Sequence, residues 1–413
     1  MEGPWISRRS GDARLAPLLY LCHRIPFPPN KGDKVRSYNI LRFLRHHFRI
    51  YLGAFVDDPA DWRYVEELAD LCDETCLLPL DPLRARFRSL RSLVSSAPLT
   101  VPYYADNRMH EWVSGVVSRA GIRRAMAFSS AMAQYLEAPG LEDARKVVDF
   151  VDVDSEKWAQ FAQRRSSWEA WVYRRESRAL AEYEHTVARR STASVFISDA
   201  EVEVFRHGRE NVGARILTIP NGVDAGYFKP DDRLPTPYSV QEGAPEAIAF
   251  TGAMDYWPNV DAVDWFAKEV LPAVLVHRPH AHFYIVGSNP SAKVRSLASA
   301  HVTVTGRVAD IRPFLNYARV VVAPMRVARG IQNKVLEAMA MAKSLVTTRA
   351  GLEGLTARAG SEVLVAESAQ EFASSVVATL VNPDGRMGAA ARNRVVSDYS
   401  WSAVLKPFEE LLR

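Results

Sequence analysis

Two patterns of hydrophobic and polar positions alternate along this chain. Short runs rich in β-branched and other apolar residues are separated by longer segments in which apolar residues recur every three or four positions. The first pattern is typical of buried strands and the second of amphipathic helices, and their alternation predicts parallel sheets built from βαβ units. Because the pattern occurs twice, we expect an α/β protein with two Rossmann-like domains.

The predicted strands divide the chain into two halves. The first half contains strands at residues 18–22, 49–55, 74–80, 124–129, 146–152, 193–198 and 215–220. The second half contains strands at 247–252, 282–287, 302–306, 319–325, 344–348 and 362–367. Between them, residues 229–246 are rich in proline and charge and lack periodicity, which predicts a linker.

This division predicts an N-terminal domain of residues 1–228, a C-terminal domain of residues 247–396 and a final helix within residues 397–413. Ligands of doubly wound sheets bind at the carboxyl ends of the strands. We therefore expect both sets of strand ends to face a central cleft that holds the ligand.

Composition narrows the class of protein. The 413 residues are 48% hydrophobic and carry a net charge of only +4, which permits large cores and does not indicate nucleic-acid binding. The three cysteines, Cys22, Cys72 and Cys76, lack the second ligand pair of a zinc site. No apolar run approaches the roughly 20 residues that span a bilayer, and the N-terminal segment lacks the apolar core of a signal peptide. We expect a cytoplasmic protein, either soluble or peripheral to the inner membrane.

Glycines follow several predicted strands and mark candidate ligand contacts. Gly252, Gly287 and Gly306 each end a strand of the second half, where a glycine lets a ligand approach the backbone. In the first half, Gly32 precedes a helix whose first-turn amides could meet a phosphate or a sugar oxygen. Neither a dinucleotide G-x-G-x-x-G nor a Walker motif follows any strand, which counts against NAD and ATP as ligands.

The stretch ARGIQNKVLEAMAMA, residues 328–342, places two charges in an otherwise apolar helix. We predict a turn over residues 330–333 and a helix from Lys334 to Ala342. A lysine in the first turn opposes the helix dipole, and a bound diphosphate would offset that cost. Glu337, one turn further on, could hold the vicinal hydroxyls of a ribose. The alternative is that Lys334 and Glu337 form an ordinary i,i+3 surface pair.

Several longer segments carry a family resemblance. The runs LTIPNGVDAGYFKP, FTGAMDYWPNVDAVDWF, VTGRVADIRPFLNYARVVVAPM and NKVLEAMAMAKSLVTT resemble the nucleotide-sugar-dependent glycosyltransferases of family 4, which have the GT-B fold. More narrowly, YLCHRIPFPPNKGDKVRSYNILRFL, VDVDSEKW and ARGIQNKVLEAMAMA resemble a bacterial sugar-transferase subfamily associated with exopolysaccharide and PEP-CTERM loci. The resemblance extends from Pro17 to Leu412.

The resemblance implies a retaining, metal-independent hexosyltransferase. Such an enzyme moves a sugar from a nucleoside-diphosphate sugar to a lipid-linked or polysaccharide acceptor in exopolysaccharide or cell-surface glycan synthesis, with no cofactor besides the nucleotide sugar. The second domain would bind the donor, the first would bind the acceptor, and the final helix would cross back to the first domain. Two alternatives remain open: a catalytically idle GT-B scaffold of a polysaccharide assembly, and a sugar-nucleotide epimerase or dehydrogenase.

The resemblance also assigns site residues. The expected donor contacts are Gly32, Gly252, Arg307, Arg329, Gly330, Ile331, Gln332, Asn333, Lys334 and Glu337. Glu337 matches the second of two family glutamates, whereas Arg329 replaces the first. The arginine and lysine that many relatives place after FTGAM are absent, so Lys334, Arg307 and Arg329 are expected to neutralise the diphosphate. Asp152, where many relatives have a histidine, is expected to act in catalysis together with Lys334 and Glu337.

Two features near the ends of first-half strands have a functional and a structural interpretation. His23 follows the first predicted strand and either reaches the cleft or is simply solvated. Asp152 and Asp154 form a D-x-D pattern, which resembles the metal site of other transferases but is common by chance. We predict no metal ion at either place.

Two apolar stripes also have more than one interpretation. An apolar face of a predicted helix contains Leu83, Phe87, Leu90 and Val94, and it is flanked by Arg84, Arg88 and Arg91. This pattern is typical either of contact with an anionic membrane or of an ordinary helix packed on the sheet. Trp168 and Trp171 lie on a long predicted helix together with Tyr183. For this second stripe we predict core or interdomain packing.

Overall fold

The computed structural model describes residues 4–9, 14–29, 32–94, 96–163, 168–207, 215–238, 246–328, 330–383 and 385–413. The chain forms two compact units. Met1–Pro220 and Leu405–Arg413 make up the first unit, and Asn221–Val404 make up the second. Each unit is organised around one sheet.

The first unit contains an eight-stranded sheet. Its strands are β1 (Trp5–Arg8), β2 (Ala16–Cys22), β3 (Phe48–Val56), β4 (Glu74–Pro79), β5 (Arg124–Phe128), β6 (Arg145–Val151), β7 (Ala193–Phe196) and β8 (Arg215–Thr218). They lie in the order β1-β4-β3-β2-β5-β6-β7-β8, and β1 pairs antiparallel to β4 while the other neighbours are parallel. The winding reverses between β2 and β5, where doubly wound sheets open a crevice at the carboxyl ends of the strands.

Helices connect these strands. They are α1 (Gly32–Leu44), α2 (Val65–Ala69), α3 (Pro82–Leu90), α4 (Thr100–Tyr103), α5 (Asn107–Ala120), α6 (Asp154–Gln163), α7 (Trp168–Arg190) and α8 (Asp199–Arg206), with 3-10 turns at Pro59–Tyr64, Arg91–Val94 and Ser130–Glu137. Strand β2 shows why the central strands form: residues 18–22 are fully buried, as expected for a parallel strand covered on both faces.

The second unit contains a six-stranded parallel sheet. Its strands are β9 (Glu246–Thr251), β10 (Ala281–Val286), β11 (Val302–Gly306), β12 (Val320–Ala323), β13 (Leu345–Thr347) and β14 (Leu364–Val365). They lie in the order β11-β10-β9-β12-β13-β14. The winding of this sheet reverses between β9 and β12, and this is the place where ligands bind in doubly wound sheets.

Helices of the second unit cover the sheet. They are α9 (Trp257–Trp265), α10 (Leu271–His277), α11 (Ala292–Arg295), α12 (Arg312–Tyr317), α13 (Asn333–Ala340), α14 (Ala369–Val381), α15 (Gly385–Arg394) and α16 (Trp401–Val404), with a 3-10 turn at Ala350–Leu352 and π-helical turns at Phe266–Val270 and Val395–Tyr399. Within the described ranges, none of the helices in either unit is both long and apolar enough to cross a bilayer.

These observations confirm the predicted α/β fold with two Rossmann-like parallel sheets. All thirteen predicted strands are present, with ends that differ from the prediction by up to two residues. Strand β1 escaped prediction because it is short and lies at the edge of the sheet, with half-buried residues alternating with exposed ones. Its Arg8 binds the buried Glu74 of β4, with Nε and Oε2 3.1 Å apart.

The boundary between the units differs from the predicted linker at 229–246. The boundary lies between Pro220 and Asn221, and the chain that follows belongs to the second unit, to which it is hydrogen-bonded. The Tyr238 hydroxyl donates to the Phe314 carbonyl at 2.6 Å, and the backbone N–H of Asp231 donates to Asn316 Oδ1 at 3.1 Å. Residues 239–245 of the predicted linker lie outside the described residues.

The C-terminal segment is also divided differently. In place of one helix, α16 ends at Val404 and α17 (Lys406–Leu412) follows after a break at Leu405. Helix α16 groups with the second unit, whereas α17 groups with the first and packs against β6. His47 and Glu409 add an ion pair on α17, with Nδ1 and Oε1 3.0 Å apart.

The turns that follow β9 and β10 approach each other closely. The N–H of Gly252 donates to the Val286 carbonyl at 3.0 Å, and a Cβ atom at Gly287 would lie only 1.7 Å from the Gly252 carbonyl oxygen. Glycine is therefore required at position 287 so that the carboxyl ends of both strands can lie side by side.

We predict that Gly287→Ala lowers the free energy of unfolding of the second unit by about 3 kcal/mol, since the methyl group would force the two turns apart. Urea unfolding followed by circular dichroism measures the change. Gly385→Ala is the matched control, because no atom lies within 4 Å of the added methyl group there. Equal stability of the two variants would contradict the close-packing argument.

Candidate donor site at the switch point of the second sheet

The first turn of α13 lies where the second sheet reverses its winding. The loop that ends at Gln332 follows β12, and β12 pairs with β9. Gly330 has a φ of 65°, a left-handed conformation that glycine adopts freely, and the chain turns there towards the helix. The apolar side chains Val335, Leu336 and Met339 are fully buried and hold α13 against the sheet.

The start of α13 carries no side-chain cap. Gln332 occupies the N-cap position with an extended backbone, but its side chain does not cap the helix. Instead Gln332 Nε2 donates to the Gly330 carbonyl at 3.0 Å, and its Oε1 accepts from Lys334 Nζ at 3.2 Å. The partial positive charge of the helix N-terminus is therefore not offset by a capping side chain.

Lys334 lies within this first turn and is half-buried. Its Nζ atom lies 5.7 Å from the centre of the Phe250 ring on β9, so the lysine reaches across to the neighbouring strand of the switch point. Burial lowers the pKa of Lys334 to about 8, and the nearby charge of Glu337 only partly opposes that shift. The protein by itself thus provides this cation with little compensation.

Glu337 lies one turn further along α13 and is also half-buried. Burial raises its pKa to about 7, against the smaller opposing effect of Lys334. Between these two described side chains no ion pair forms within 4.0 Å, so the predicted surface-pair alternative does not describe the structure. The site therefore holds a cation and a carboxylate side by side, each destabilised by burial and each able to gain from a ligand.

The other expected donor contacts of the second unit follow the ends of its strands. Gly252 follows β9, and a Cβ atom there would lie 2.7 Å from Asn259 Nδ2. Arg307 follows β11 and is exposed, as is Asn333 at the start of α13. Ile331 is half-buried. Arg329 lies outside the described residues.

Two expected site residues belong to the first unit. Gly32 is exposed at the start of α1. Asp152 follows β6, and its Oδ2 lies 2.8 Å from Lys157 Nζ. Burial works against the charge of Lys157, but Asp154 and Asp152 together raise its pKa above the usual value. The D-x-D pair thus holds a lysine, and no cluster of three potential metal ligands occurs among the described residues.

Sequence reasoning underestimated a charged cluster at the switch point of the first sheet. His23 follows β2, stacks on Phe128 of β5 with ring centres 5.7 Å apart, and places Nε2 3.4 Å from Asp33 Oδ2. Arg24 binds Asp57 at 2.8 Å. His23 is half-buried rather than solvated. The signal was the pair His23-Arg24 directly after a strand, followed by Asp33 in the first turn of the next helix.

Comparison with known proteins agrees with the fold described above. Residues 245–382, which contain the Lys334 and Glu337 site, match the family model described as "Glycosyl transferases group 1". Over 96% of the chain, similar solved structures have the GT-B fold with two Rossmann-like sheets. The chain has the GT-B glycosyltransferase fold. No curated protein matches the sequence.

Three solved structures illustrate the GT-B similarity. Sucrose-phosphate synthase from Thermosynechococcus elongatus is 16% identical with a TM-score of 0.60, over 96% of this chain and 98% of that chain. A glycosyltransferase from Rickettsia africae is 14% identical with a TM-score of 0.61, over 96% and 98%. HepE of Anabaena in complex with UDP is 14% identical with a TM-score of 0.60, over 96% and 99%.

We predict that Glu337→Gln raises the free energy of unfolding at pH 8 by about 1 to 2 kcal/mol. The folded-state pKa of about 7 exceeds the unfolded value, so the ionised form is penalised above pH 7. Glutamine resembles the neutral acid, although losing the carboxylate also removes the partner that favours charged Lys334. The gain should decline below pH 7 and vanish well below pH 4.5, where the glutamate is protonated in both states.

Urea unfolding at a series of pH values measures this difference. Glu371→Gln is the control, because Glu371 lies on the surface and its pKa is lowered by backbone N–H groups. The electrostatic description of the site would be contradicted if Glu337→Gln were destabilising at pH 8.

Proposed function

We propose that this protein is a retaining glycosyltransferase that moves a sugar from a nucleoside-diphosphate sugar to a lipid-linked or polysaccharide acceptor. The observation that carries the proposal is the pair Lys334 and Glu337 at the β9–β12 switch point. Both groups are half-buried, and their charges are destabilised by burial. A nucleotide offers what each requires: a diphosphate for the cation, and ribose hydroxyls for the carboxylate.

The diphosphate would bind at the start of α13. There it would meet the backbone N–H groups of the first helical turn and Lys334 Nζ, which together form an anion site. Arg307, which is exposed, would add positive charge, and we expect the same of Arg329. Ribose hydroxyls would donate to Glu337, and the backbone of residues 330–333 would contact the sugar.

Sugar transfer requires stabilisation of the charge that develops on the leaving nucleoside diphosphate as the bond to the sugar breaks. A fixed lysine and a helix N-terminus provide that stabilisation by preorganised electrostatics, so no metal ion or other cofactor is needed in this proposal. Asp152, which forms an ion pair with Lys157, would then stabilise the sugar cation or orient the acceptor hydroxyl. A role in exopolysaccharide synthesis follows from the resemblance of the sequence motifs.

The first experiment measures nucleotide binding through the melting temperature of the full chain. UDP, GDP, ADP, dTDP and NAD are titrated against the wild type and Glu337→Ala, since a ligand at 100 times its Kd stabilises the native state by about 2.7 kcal/mol. UDP is the first candidate because HepE is solved with it. We expect one nucleoside diphosphate to stabilise the wild type and to lose most of that effect in the variant.

A matched pair of lysines makes the test specific. Lys334 lies in the first turn of α13 and Lys343 lies three residues after its end; both are half-buried, and burial lowers the pKa of each to about 8. We predict that Lys334→Met weakens diphosphate binding at least about tenfold, because a charge-assisted contact is lost. Lys343→Met should leave binding unchanged, since the Lys343 amine donates to the Asn316 carbonyl at 2.9 Å instead.

The outcomes separate the alternatives. Equal loss of binding in both lysine variants would show that the effect is general destabilisation. No binding of any nucleoside diphosphate would favour the idle scaffold, to which the replacement of the first family glutamate by Arg329 also points. Stabilisation by NAD alone would favour an epimerase or dehydrogenase.

We predict that affinity for the diphosphate falls as pH rises from 7 to 9. An anion favours the charged form of Lys334, so binding takes up a proton when the pH exceeds the free-state pKa of about 8. Calorimetry in two buffers of different ionisation enthalpy measures this proton uptake at pH 8.5. The same titration of Lys334→Met should show no uptake, and persistent uptake would assign it to another group.

A further inference from the structure

Helix α3 (Pro82–Leu90) presents its large apolar side chains to solvent and buries its small ones. Ala85 and Ser89 are buried at spacing i, i+4. Leu83, Phe87 and Leu90, at spacing i, i+4 and i+7, are 65%, 71% and 51% exposed. A helix that only covered a sheet would have the opposite orientation, because burying leucine and phenylalanine stabilises a fold far more than burying alanine and serine.

Positive charge flanks the exposed apolar face. At about 100° per residue, Arg84 lies on one side of the Leu83–Phe87 stripe and Arg86 lies on the other. Both arginines are exposed and α3 contains no acidic residue, although Asp81, which directly precedes the helix, places Oδ2 3.4 Å from Arg84 Nε. Arg88 points to the protein instead, where Nε donates to the Pro102 carbonyl at 2.6 Å and Nη2 donates to the Tyr103 carbonyl at 2.7 Å. One arginine thus fixes the helix while two others border its outer face.

Helix α7, which is hydrogen-bonded to the segment that follows α3, also exposes large apolar side chains. Trp168 and Trp171 are 72% and 57% exposed, so the predicted core role of these two residues is wrong. They share one stripe of α7 with Arg175, whose guanidinium donates to the Ser92 carbonyl and, at 2.8 Å, to the Ala97 carbonyl. The segment that follows α3 is therefore held against the same stripe that exposes both tryptophans.

We propose that α3, together with the Trp168–Trp171 face of α7, docks the first unit onto the surface of an anionic phospholipid bilayer. Helices that lie in the membrane interface combine exposed leucine, phenylalanine or tryptophan with flanking arginine. The apolar side chains enter the acyl boundary, and Arg84 and Arg86 remain at the level of the lipid phosphates. The charge of the surface selects an anionic bilayer over a neutral one.

The proposal is independent of the transfer reaction, so it can fail while the transferase function stands, and the reverse. Vesicles of phosphatidylcholine alone, and of phosphatidylcholine with 30% phosphatidylglycerol, are incubated with the full chain and floated on a density gradient. The wild type should float with the anionic vesicles. Arg84→Gln with Arg86→Gln should weaken that binding about 30-fold, from about fivefold per arginine.

Apolar contact is tested separately. Leu83→Gln, Phe87→Gln and Leu90→Gln combined should abolish flotation at any salt concentration, and unchanged melting temperature would show that the fold is intact. The control, Val276→Gln with Val381→Gln, removes two exposed apolar residues of the second unit, which are 76% and 62% exposed. Flotation of the triple variant like the wild type would overturn the proposal.

A fluorescent probe reports on the face itself. The three native cysteines are buried, so a cysteine placed by Phe87→Cys or Val276→Cys takes a polarity-sensitive dye selectively. The dye at position 87 should shift to the blue on anionic vesicles, and the dye at position 276 should not. A blue shift at position 87 that instead follows protein concentration without lipid would identify a second copy of the chain as the occupant and overturn membrane docking.

Discussion

The reversal of winding between β9 and β12 is the constraint on which the candidate site depends. In a parallel sheet the connecting helices leave the two central strands towards opposite faces, so a crevice opens at the carboxyl ends of those strands. The close approach of Gly252 and Gly287 holds the turns after β9 and β10 against each other. Gly330 turns the chain so that α13 begins beside the crevice. Lys334 then reaches the Phe250 ring of β9. Each of these features would be displaced by a different strand order.

The electrostatics of the site follow from the same geometry. A lysine in the first turn of a helix is opposed by the dipole, and burial makes the opposition stronger. Glu337 reduces this cost only in part, because its own charge is also penalised by burial. Such a pair lowers the stability of the protein without a ligand. Stability given up at a site for the benefit of function is common in proteins, and the proposed nucleotide binding would account for a charge arrangement that packing alone does not explain.

The sequence predicted much of the fold because the strands of parallel sheets are continuous apolar runs. The short edge strand β1 is not a continuous apolar run and was therefore missed. The boundary between the units was misplaced because Pro220 and Asn221 resemble an ordinary turn. Residues 229–238 are polar enough to suggest a linker, but their hydrogen bonds to α12 depend on tertiary contacts that no local pattern reveals.

The candidate site was predictable in part. Lys334 and Glu337 can be recognised in the sequence because both are charged residues within an apolar helix. That they do not pair with each other, and that Lys334 lies against Phe250, depends on the register of α13 against two strands. The cluster of His23, Arg24, Asp33 and Asp57 needed the same information, because three short sequence segments meet there only in the folded sheet.

The apolar stripe of α3 shows most clearly what hydrophobic periodicity alone does not predict. A repeat of Leu83, Phe87 and Leu90 identifies a face of the helix, but it does not tell whether that face points towards the protein or away from it. The residues on the opposite side of the helix determine the direction in which the stripe points. Ala85 and Ser89 let the helix lie close to the elements beneath it, and Arg88 locks that orientation by binding the carbonyls of Pro102 and Tyr103. Because small residues fix the inner face of the helix, the large side chains on the opposite face point towards solvent.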